Sequence, residues 1–435
     1  MSNTINIELL QRRYKVMGKS SPLFYEKPLH LVRGEGVWLY DHQGNRYLDV
    51  YNNVPHVGHC NPRVVEALHR QASTLNIHTR YLHDNIVEYM ERLTATFDDG
   101  LSMAMLTCTG SEANELALRM ARFFTGNQGI IVTDFAYHGN TEAVAELGTG
   151  FMPEAKHTKR VKSFAIPDSY RGISGVAEND LANAYVAQVQ QAIDEFEAEG
   201  INVAGMLVCP DFANEGLLTV PKGFLEKATA LVRKAGGVLI ADEVQAGFGR
   251  SGTHFWAHQR YDLTPDIVTM GKPMGNGHPL AGVVARVDMI EAFSKEAMYF
   301  NTFGGTPVSC AVGMAVLDAL QEDHLMENAV STGAYVTAGL RKLQEKYPLI
   351  GDVRDLGMFF GVELVQNRTT KAPAIVESRR IINLMRERGV LISTIGVTGS
   401  ILKLRPPMPF QPEHADLLIS TLDDVLDIVS REMVG

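Results

Sequence analysis

The sequence predicts an α/β fold in which a large domain on a mostly parallel sheet is followed by a smaller α+β domain. Strand-like apolar runs alternate with helical patterns from about Met103 to Val284. This order is typical of a parallel sheet with helices on both faces. From about residue 325 the pattern changes to short strands between helices. The chain of 435 residues is long enough to bury a sizeable core.

Composition and net charge limit the classes of protein to which this chain could belong. Apolar residues make up 45% and charged residues 21% of the chain, as in soluble globular proteins. The net charge of −10 disfavours nucleic acid or an anionic membrane as the main partner. Residues 1–16 lack the apolar core of a signal peptide, and no run approaches the roughly 20 apolar residues of a membrane helix. We therefore expect a cytoplasmic protein that acts on a small molecule.

The cysteines and histidines do not predict a metal site. The four cysteines are scattered without CxxC spacing, which favours reduced thiols in a cytosolic protein. His56 and His59 lie close together in the sequence, but they have no second pair at metal-ligand spacing. We therefore expect no bound metal.

The first sixty residues precede the alternating region, and we expect residues 1–60 to pack with the small domain. Residues 1–30 indicate a polar helix and an irregular lead-in, and two β-rich runs around a turn predict a hairpin over 37–50. Residues 51–59 are rich in polar and small residues. This loop either faces a site or simply connects two elements. Helical patterns follow over residues 64–75 and 86–97.

The first strand of the alternating region, Met103–Thr107, leads to a candidate anion site. It is followed by TGSEAN at 109–114 and by an amphipathic helix to Phe123. Glycine permits a tight turn, and the first turn of a helix leaves N–H groups free to bind a phosphate. Gly110 and Ser111 are therefore candidates, although an ordinary serine N-cap followed by an acid has the same pattern.

A second strand, around residues 130–132, leads to the sequence AYHG at 136–139. Tyr137 follows the carboxyl end of this strand, where an aromatic ring could stack on a flat cofactor. A tyrosine packed in the core is the alternative.

The stretch from 237 to 277 contains the candidate catalytic residues. One apolar strand ends at Asp242, and another is followed by Lys272. Sites in open α/β sheets form at the carboxyl ends of strands. A lysine there becomes nucleophilic when burial or its neighbours lower its pKa. A buried aspartate there could pair with a protonated ring nitrogen, as expected for pyridoxal phosphate (PLP). Either residue alone is more often an ordinary one, so the hypothesis depends on the pair.

A glycine pattern in the same stretch does not predict a dinucleotide site. Gly247, Gly249 and Gly252 match GxGxxG, but that pattern should follow its strand directly and open a helix. The residues Asp-Glu-Val-Gln-Ala intervene here, and no clear helix start follows. We therefore do not interpret the pattern as a nicotinamide site.

The remaining elements complete the two domains. In the large domain we expect a strand at 203–209 and helices at 186–199, 224–235 and 307–320. In the small domain we expect short strands within 351–365, 390–393 and 401–405, with helices at 374–388 and 413–429. The predicted parts of the chain are therefore residues 1–60, 61–324 and 325–435.

Six motifs in this order resemble the class III PLP-dependent aminotransferases, which have the type I fold. They are TGSEAN (109–114), AYHG (136–139), ADEVQAGFGRSG (241–252), VTMGKPMGNGHPLAG (268–282), NTFGG (301–305) and LKLRPPM (402–408). The resemblance covers almost the whole chain. It implies PLP as the cofactor and a large domain with a mostly parallel, seven-stranded sheet.

Position by position, the resemblance implies roles around the cofactor ring. Lys272 resembles the lysine that binds PLP covalently, and Asp242 resembles the acid that keeps the pyridine nitrogen protonated. Gln245 resembles the residue beside the phenolic oxygen of the ring. Tyr137 resembles the aromatic residue that stacks on the ring, and His138 belongs to the same motif.

The resemblance also implies how the cofactor phosphate is bound. Gly110 and Ser111 resemble the residues that surround the phosphate. Thr302 resembles a residue that reaches the phosphate bound by the neighbouring subunit. The family therefore implies a homodimer with shared active sites.

Two positions at which this chain differs from many members of the family bear on the type of reaction. Many transaminases of this class hold an α-carboxylate with an arginine, and a glutamate neutralises that arginine when an amine substrate enters. An ungapped count from Pro221 places Cys209 at the position of the glutamate, and Lys403 occupies the position of the arginine. Glu215 or Arg405 could take over these roles. Loss of the pair fits a substrate without a carboxylate.

Phrases such as NNVPHVGH and RYLHDNIVEY resemble the ethanolamine-phosphate phospho-lyases and their alanine–glyoxylate aminotransferase relatives. This resemblance implies a lyase that converts O-phosphoethanolamine to phosphate, acetaldehyde and ammonia. Candidates for binding the phosphate are Arg80, Lys403 and Arg405, with Asn53 as a further donor. Each of these could instead be a solvated surface group.

Two other functions stay open at this point. A class III aminotransferase could move an amino group from alanine or an ω-amine to pyruvate or glyoxylate. A protein of the same fold could also have lost catalysis and serve as a binding subunit, although the intact pair Lys272 and Asp242 argues against this hypothesis.

Overall fold

The computed structural model of the protein describes residues 6–156 and 158–434. Residues 1–5 and 435 of the predicted first and last parts therefore lie outside the described residues. The chain begins with one helix and three strands: α1 (Ile7–Met17), β1 (Leu31–Glu35), β2 (Trp38–Asp41) and β3 (Arg46–Asp49). The strands β2 and β3 pair antiparallel as the predicted hairpin. Asp41 stabilises the turn by accepting hydrogen bonds from the backbone N–H groups of Gln43 and Asn45.

The large domain is built on a seven-stranded sheet. Its elements are α2 (Pro62–Ala72), α3 (Asp84–Thr94), β4 (Met103–Thr107), α4 (Gly110–Thr125), β5 (Gly129–Thr133), α5 (Glu142–Ala145), β6 (Val161–Phe164), α6 (Leu181–Ala198), β7 (Val203–Val208), α7 (Phe224–Lys234), β8 (Val238–Asp242), β9 (Ile267–Met270), β10 (Ala281–Ala285), α8 (Val287–Glu296) and α9 (Pro307–Glu322). The strand order is β4-β10-β9-β8-β7-β5-β6. The strands run parallel except β10, which is antiparallel to both of its neighbours.

The strand β8 shows why these strands are continuous apolar runs. Val238 and Ile240 pack into the core that contains α4 and α8, whereas Leu239 packs into the core that contains α6 and α7. Successive side chains of a strand point to opposite faces of the sheet. A strand covered by helices on both faces must therefore be apolar at every position.

The C-terminal part is a smaller α+β unit. Its elements are α10 (Leu325–Lys346), β11 (Ile350–Asp355), β12 (Phe360–Asn367), β13 (Ala372–Pro373), α11 (Ile375–Glu387), β14 (Val390–Leu391), β15 (Ser393–Ile395), β16 (Ile401–Leu404) and α12 (Pro412–Val434). One sheet has the order β11-β12-β16-β15, with β13 paired to β12. The strand β14 instead pairs parallel with β3 and extends the N-terminal sheet. The division at residues 60 and 324 stays a prediction.

The structure differs from the sequence-based elements at several places. The helix expected at 186–199 begins at Leu181, because Leu181, Ala182 and Tyr185 are buried in the core. The sequence pattern does not indicate β1, β6, α8 or α10 as separate elements. The strand β4 has the predicted bounds.

The sheet brings the candidate residues to one edge. Asp242 ends β8, Lys272 comes after β9, and Cys209 comes after β7. The helix α4 begins shortly after β4 ends, so its N-terminus lies at the same edge. Parallel strands end on the same side of a sheet, where sites of open α/β proteins form.

Candidate active site

Asp242 is fixed by three hydrogen-bonding groups. His138 Nδ1 lies 2.7 Å from Asp242 Oδ2, and Asn114 Nδ2 donates to the same oxygen at 3.0 Å. The backbone N–H of Val244 donates to Oδ1 at 3.0 Å. Asn114 also donates to the carbonyl of His138 at 2.7 Å and accepts from the hydroxyl of Thr269 at 2.6 Å. The carboxylate therefore has a defined orientation in a buried position.

These contacts keep Asp242 negatively charged. Burial by itself would raise the pKa of Asp242, and the hydrogen bond and charge of His138 are the largest effects that oppose burial. The N–H of Val244 and the nearby Lys272 act in the same direction as His138, and the pKa of Asp242 is lowered. A buried aspartate that stays ionised can stabilise a proton on a ring nitrogen placed against it.

Lys272 opens a short 3-10 helix, Lys272–Gly275, at the end of β9. Burial lowers the pKa of Lys272, Asp242 opposes this effect, and the positive charge of Arg405 adds to it. The net result is a pKa below that of an ordinary lysine. An amine that is deprotonated more easily is a better nucleophile and general base near neutral pH.

The start of α4 could hold an anion in a cradle beside the 136–139 loop. Thr109 caps the helix by accepting a hydrogen bond from the N–H of Glu112 at 3.1 Å, while the first N–H groups of a helix have no acceptor within the helix. Gly139 has a φ of +144°, and a Cβ there would lie 2.6 Å from Ser111 Oγ. Glycine therefore lets the 136–139 loop approach Ser111 closely, beside the N–H groups that begin at Gly110.

Tyr137 is anchored but remains accessible. Its side chain is 38% exposed, and its ring packs edge-on against Phe151, with 6.0 Å between the centroids. Phe151 in turn packs on Phe135 at 4.3 Å, and Asn214 Nδ2 donates to the carbonyl of Tyr137 at 3.0 Å. The ring is thus held in place with enough free surface to stack on a planar ligand.

Gln245 connects the loop after β8 to the C-terminal part. Its Oε1 accepts hydrogen bonds from Lys403 Nζ at 3.2 Å and from Arg405 Nη1. Its Nε2 donates to Asn214 Oδ1 at 3.1 Å. The structure therefore brings Gln245, Lys403 and Arg405 together.

Lys403 and Arg405 are buried basic side chains with neutral partners. Their residues are 3% and 6% exposed. Lys403 also donates to the carbonyl of Ala213 at 3.3 Å, and Arg405 donates to the carbonyl of Tyr51 at 3.1 Å. Within the described ranges, the hydrogen bonds of both side chains go to backbone carbonyl oxygens and to the amide oxygen of Gln245. Burial, Arg405 and Lys272 together hold the pKa of Lys403 well below its usual value.

Cys209 and Glu215 lie near these basic side chains. Burial raises the pKa of the Cys209 thiol, as do the charges of Asp242 and Glu215, so the thiol is uncharged at neutral pH. Glu215 Oε1 accepts from the hydroxyl of Thr133 at 2.6 Å. The same carboxyl group lines a cavity of about 750 Å³ that reaches Ile401 of β16. The carboxylate of Glu215 is therefore anchored to β5 rather than paired with Lys403.

The other predicted residues fall into two groups. Asn53 is buried, and its Nδ2 has no hydrogen-bond partner in the part of the chain that the structure describes. Arg80 is exposed, and its guanidinium lies 3.8 Å from the centroid of the Phe300 ring. Thr302, which follows Phe300 closely in the sequence, is exposed as well. Asn53 can thus donate to a ligand, whereas Arg80 has no contact with Lys403 among the described residues.

The described part of the chain contains neither a metal-ligand cluster nor a membrane-spanning helix. Among residues 6–156 and 158–434, no three His, Cys, Asp or Glu side chains are grouped so that they could hold a metal ion. None of the helices described is both long and apolar enough to cross a membrane.

The structure adds Asn114, Thr269 and Asn214 to the residues that the sequence analysis singled out. Asn114 belongs to the TGSEAN motif, but its amide faces Asp242. A signal for it exists in the sequence, because Asn114 lies on the same helical face as Ala117 and Ala121. An amide on an apolar helical face needs hydrogen-bond partners in the core.

The fold and the strand-end acid and lysine define a PLP-dependent enzyme of the type I fold. The family model of class III aminotransferases matches residues 24–426, and the chain belongs to this family. It is therefore a PLP-dependent enzyme, as the sequence analysis predicts.

Individual relatives include both lyases and aminotransferases. The chain is similar to a phospholyase from Arthrobacter that was solved in complex with phosphoethanolamine, with 47% identity, a TM-score of 0.92, and 96% of this chain and 99% of that chain covered. It is 36% identical over 445 residues to ethanolamine-phosphate phospho-lyase homolog 1 of Caenorhabditis elegans, covering 98% of this chain and 94% of the relative. It is 38% identical over 442 residues to an alanine–glyoxylate aminotransferase 2-like protein of Drosophila melanogaster, covering 98% of this chain and 88% of the relative.

Proposed function

We propose that this enzyme is a phospho-lyase that removes phosphate from O-phosphoethanolamine, or from a related phosphorylated amine, to give an aldehyde and ammonia. The observation that carries the proposal is the pair of buried basic side chains, Lys403 and Arg405, whose hydrogen bonds go only to neutral oxygens of the described residues. Buried charges require compensation. A phosphate monoester, with a charge of about −1.5 to −2 at pH 7, compensates both cations, whereas a single carboxylate compensates one.

The cofactor phosphate and ring would bind between α4 and the 136–139 loop. The free N–H groups at the start of α4 favour an anion, so Gly110 and Ser111 would hold the phosphate of PLP. The close approach of Gly139 to Ser111 leaves no space for a side chain in this cradle. Tyr137 would stack on one face of the ring.

Four residues would hold the functional groups of the ring. The ionised Asp242 would face the ring nitrogen, and His138 would keep the carboxylate in place through the 2.7 Å contact. Gln245 would lie beside the phenolic oxygen, and Lys272 would bind the cofactor covalently. Bound in this way, PLP supplies an acceptor for electrons from the carbon that bears the amino group.

Different residues of this chain would then promote the two parts of the elimination, which are proton removal and loss of phosphate. Lys272, freed from the cofactor when the amino group of the substrate takes its place, would remove the proton from the carbon next to nitrogen. The electrons of that C–H bond end in a carbon–carbon double bond as the C–O bond to phosphate breaks, and phosphate leaves with the electrons of the C–O bond. Lys403 and Arg405 would stabilise the charge of the leaving group, with Asn53 as a further donor. Reaction of the product with water gives the aldehyde and ammonia.

We also propose that two subunits share each site. Arg80 and Thr302 lie on a face that exposes large apolar side chains: Tyr81 is 60%, Leu82 100% and Phe303 70% exposed. An exposed apolar patch of this kind marks a contact surface. A second copy on this face would bring Arg80 and Thr302 towards the site of its partner. A cytoplasmic location stays a prediction.

Phosphate release tests the proposed reaction. We expect the purified holoenzyme to release inorganic phosphate from O-phosphoethanolamine over many turnovers when no keto acid is added. A lyase completes its cycle without a second substrate, whereas an aminotransferase does not. A control with ethanolamine shows whether amine chemistry occurs without the phosphate.

An aminotransferase is the second candidate function, and similarity to the alanine–glyoxylate aminotransferase 2-like protein favours it. In that case alanine or an ω-amine would react with glyoxylate or pyruvate, and O-phosphoethanolamine would yield no phosphate. This result would contradict the lyase proposal.

The affinity of the site for phosphate should depend on pH through Lys403. Burial lowers the pKa of this lysine, and only its protonated form attracts a dianion, so the affinity should fall as pH rises. The decrease reaches at most about tenfold per pH unit for one linked proton. We expect this trend in the inhibition constant of an unreactive phosphate monoester above about pH 7, where the monoester, with a second pKa of about 6, is already largely dianionic.

A matched variant separates Lys403 from other groups. Lys403→Arg keeps a positive charge at all these pH values, so its inhibition constant should vary less with pH. Lys403→Met should bind phosphate weakly throughout. Parallel pH profiles for wild type and Lys403→Arg would assign the titration to another group.

A further inference from the structure

Asn114 is a buried polar residue that the proposed reaction leaves without a role. It lies in the N-terminal half of α4 and is 0% exposed. It is surrounded along the helix by buried apolar residues such as Ala113 and Ala117. Placing an amide in such a position is unfavourable unless its polar groups are hydrogen-bonded. The partners of Asn114 therefore indicate what the residue does.

The amide of Asn114 bonds to three separate parts of the candidate site. Its Nδ2 donates to Asp242 Oδ2 at 3.0 Å and to the carbonyl of His138 at 2.7 Å. Its Oδ1 accepts from the hydroxyl of Thr269 at 2.6 Å. Thr269 lies on β9, the strand that leads to Lys272. One side chain thus connects α4 with β8, with β9 and with the 136–139 loop.

We propose that Asn114 is a positioning residue, which sets the distance and orientation between the phosphate cradle and Asp242. The inference rests on the proposed cofactor site. The cradle is the N-terminus of α4, and Asn114 belongs to the same helix, so its bonds fix that helix relative to the acid. A cofactor held at both its phosphate and its ring nitrogen would span this distance. Any change in the distance weakens one of the two contacts.

The chemistry of the amide explains why asparagine suits this position. Both groups that receive hydrogen bonds from Nδ2, the carboxylate of Asp242 and the carbonyl of His138, are acceptors only. A carboxylate at position 114 would place an oxygen against two other oxygens. The side chain must therefore provide two donors and one acceptor in a small volume.

The experiment measures cofactor binding in the holoenzyme without substrate. The variants are Asn114→Asp and Asn114→Ala, and the readouts are the dissociation rate of PLP and the visible circular dichroism of the bound cofactor. We expect both variants to release PLP at least about tenfold faster, because each loses a hydrogen bond to a charged group. Altered visible circular dichroism would report a changed orientation of the ring.

The pH dependence separates positioning from packing. As pH falls, the carboxyl group introduced in Asn114→Asp becomes protonated and can again donate one hydrogen bond. PLP retention by Asn114→Asp should therefore recover relative to Asn114→Ala at low pH. A loss that depends only on packing gives the two variants parallel pH profiles, and this outcome would overturn the proposal.

A control and a second pair of variants cover the case in which Asn114 variants fail to fold. Asn127, just beyond the other end of α4, donates to the carbonyl of Val203 at 2.9 Å. Asn127→Ala should lower thermal stability and leave PLP release unchanged. Thr269→Val removes the donor to Asn114, and Thr269→Ser keeps it, so only Thr269→Val should release PLP faster. Equal release by both Thr269 variants would contradict the proposal.

These outcomes are independent of the proposed reaction. Failure of wild-type enzyme to release phosphate, with normal PLP retention, contradicts the lyase function and leaves the role of Asn114 intact. Unchanged PLP release in the Asn114 and Thr269 variants, with active wild-type enzyme, contradicts the role of Asn114 alone.

Discussion

Replacing Lys272 by alanine should abolish both turnover and the visible absorbance of covalently bound cofactor. Proton transfer by a positioned side chain contributes roughly 10²–10⁴-fold to a rate, and the variant also loses the covalent bond. We therefore expect kcat to fall by more than about 10⁴-fold. Absorbance spectra of the purified variant with added PLP, together with the phosphate-release assay, measure both effects.

The control for this prediction is Lys403→Met, because Lys403 is a second buried lysine near Lys272. Borohydride reduction followed by peptide mass analysis should find the cofactor on the Lys272 peptide in wild type and in Lys403→Met. Cofactor attached to another lysine of the wild-type enzyme would refute the assignment of Lys272.

Asp242→Asn should retain the fold and lose most of the activity. Asparagine has nearly the same shape, and its carbonyl oxygen can still accept from the N–H of Val244. It cannot balance a positive charge on the ring nitrogen. Removing one member of a buried charge pair costs about 3–5 kcal/mol, which corresponds to roughly 10²- to 10⁴-fold in rate. The measurement is kcat at saturating PLP, with far-ultraviolet circular dichroism as the test of folding.

Asp266→Asn is a suitable control. Asp266 is also buried, but it precedes β9, at the opposite edge of the sheet, and pairs with Arg233 and Arg286. Its loss should lower stability while kcat per bound cofactor stays near that of wild type. Near-normal turnover of Asp242→Asn would show that the ring nitrogen does not depend on this acid.

The sequence predicts the strands of the large domain well because these strands are buried on both faces of the sheet. Runs such as Val238–Asp242 are apolar at almost every position, which is the pattern of a strand covered on both faces. The same burial on both faces conceals whether a strand runs parallel or antiparallel to its neighbours. Nothing in the pattern of Ala281–Ala285 shows that this strand runs antiparallel, since a fully apolar strand has no sidedness to orient it.

The sequence suggests site residues where one motif contains the functional group, as for Lys272 and Asp242, whose roles stay predictions. It does not predict the contacts between distant segments that assemble the candidate site. Gln245 meets Lys403 and Arg405 across separations of 158 and 160 residues, and no local pattern encodes that contact. The left-handed backbone of Phe135, Phe212 and Phe248 is a further example, because phenylalanine rarely adopts positive φ and tertiary packing must impose it.

The parallel pairing of β14 with β3 has a consequence for how the enzyme is made. Val390 pairs with Leu48, and the N–H of Arg405 donates to the carbonyl of Val50 at 2.7 Å. Contacts between such distant segments require the closure of a very long loop and form slowly. During synthesis the N-terminal strands emerge first, yet their sheet stays incomplete until the chain beyond Leu391 leaves the ribosome. We therefore expect the loop after β3 to be the last part of the site to reach its native conformation. A nascent chain that ends before Arg405 could fold its large domain. The part of the site that binds the substrate would still be incomplete.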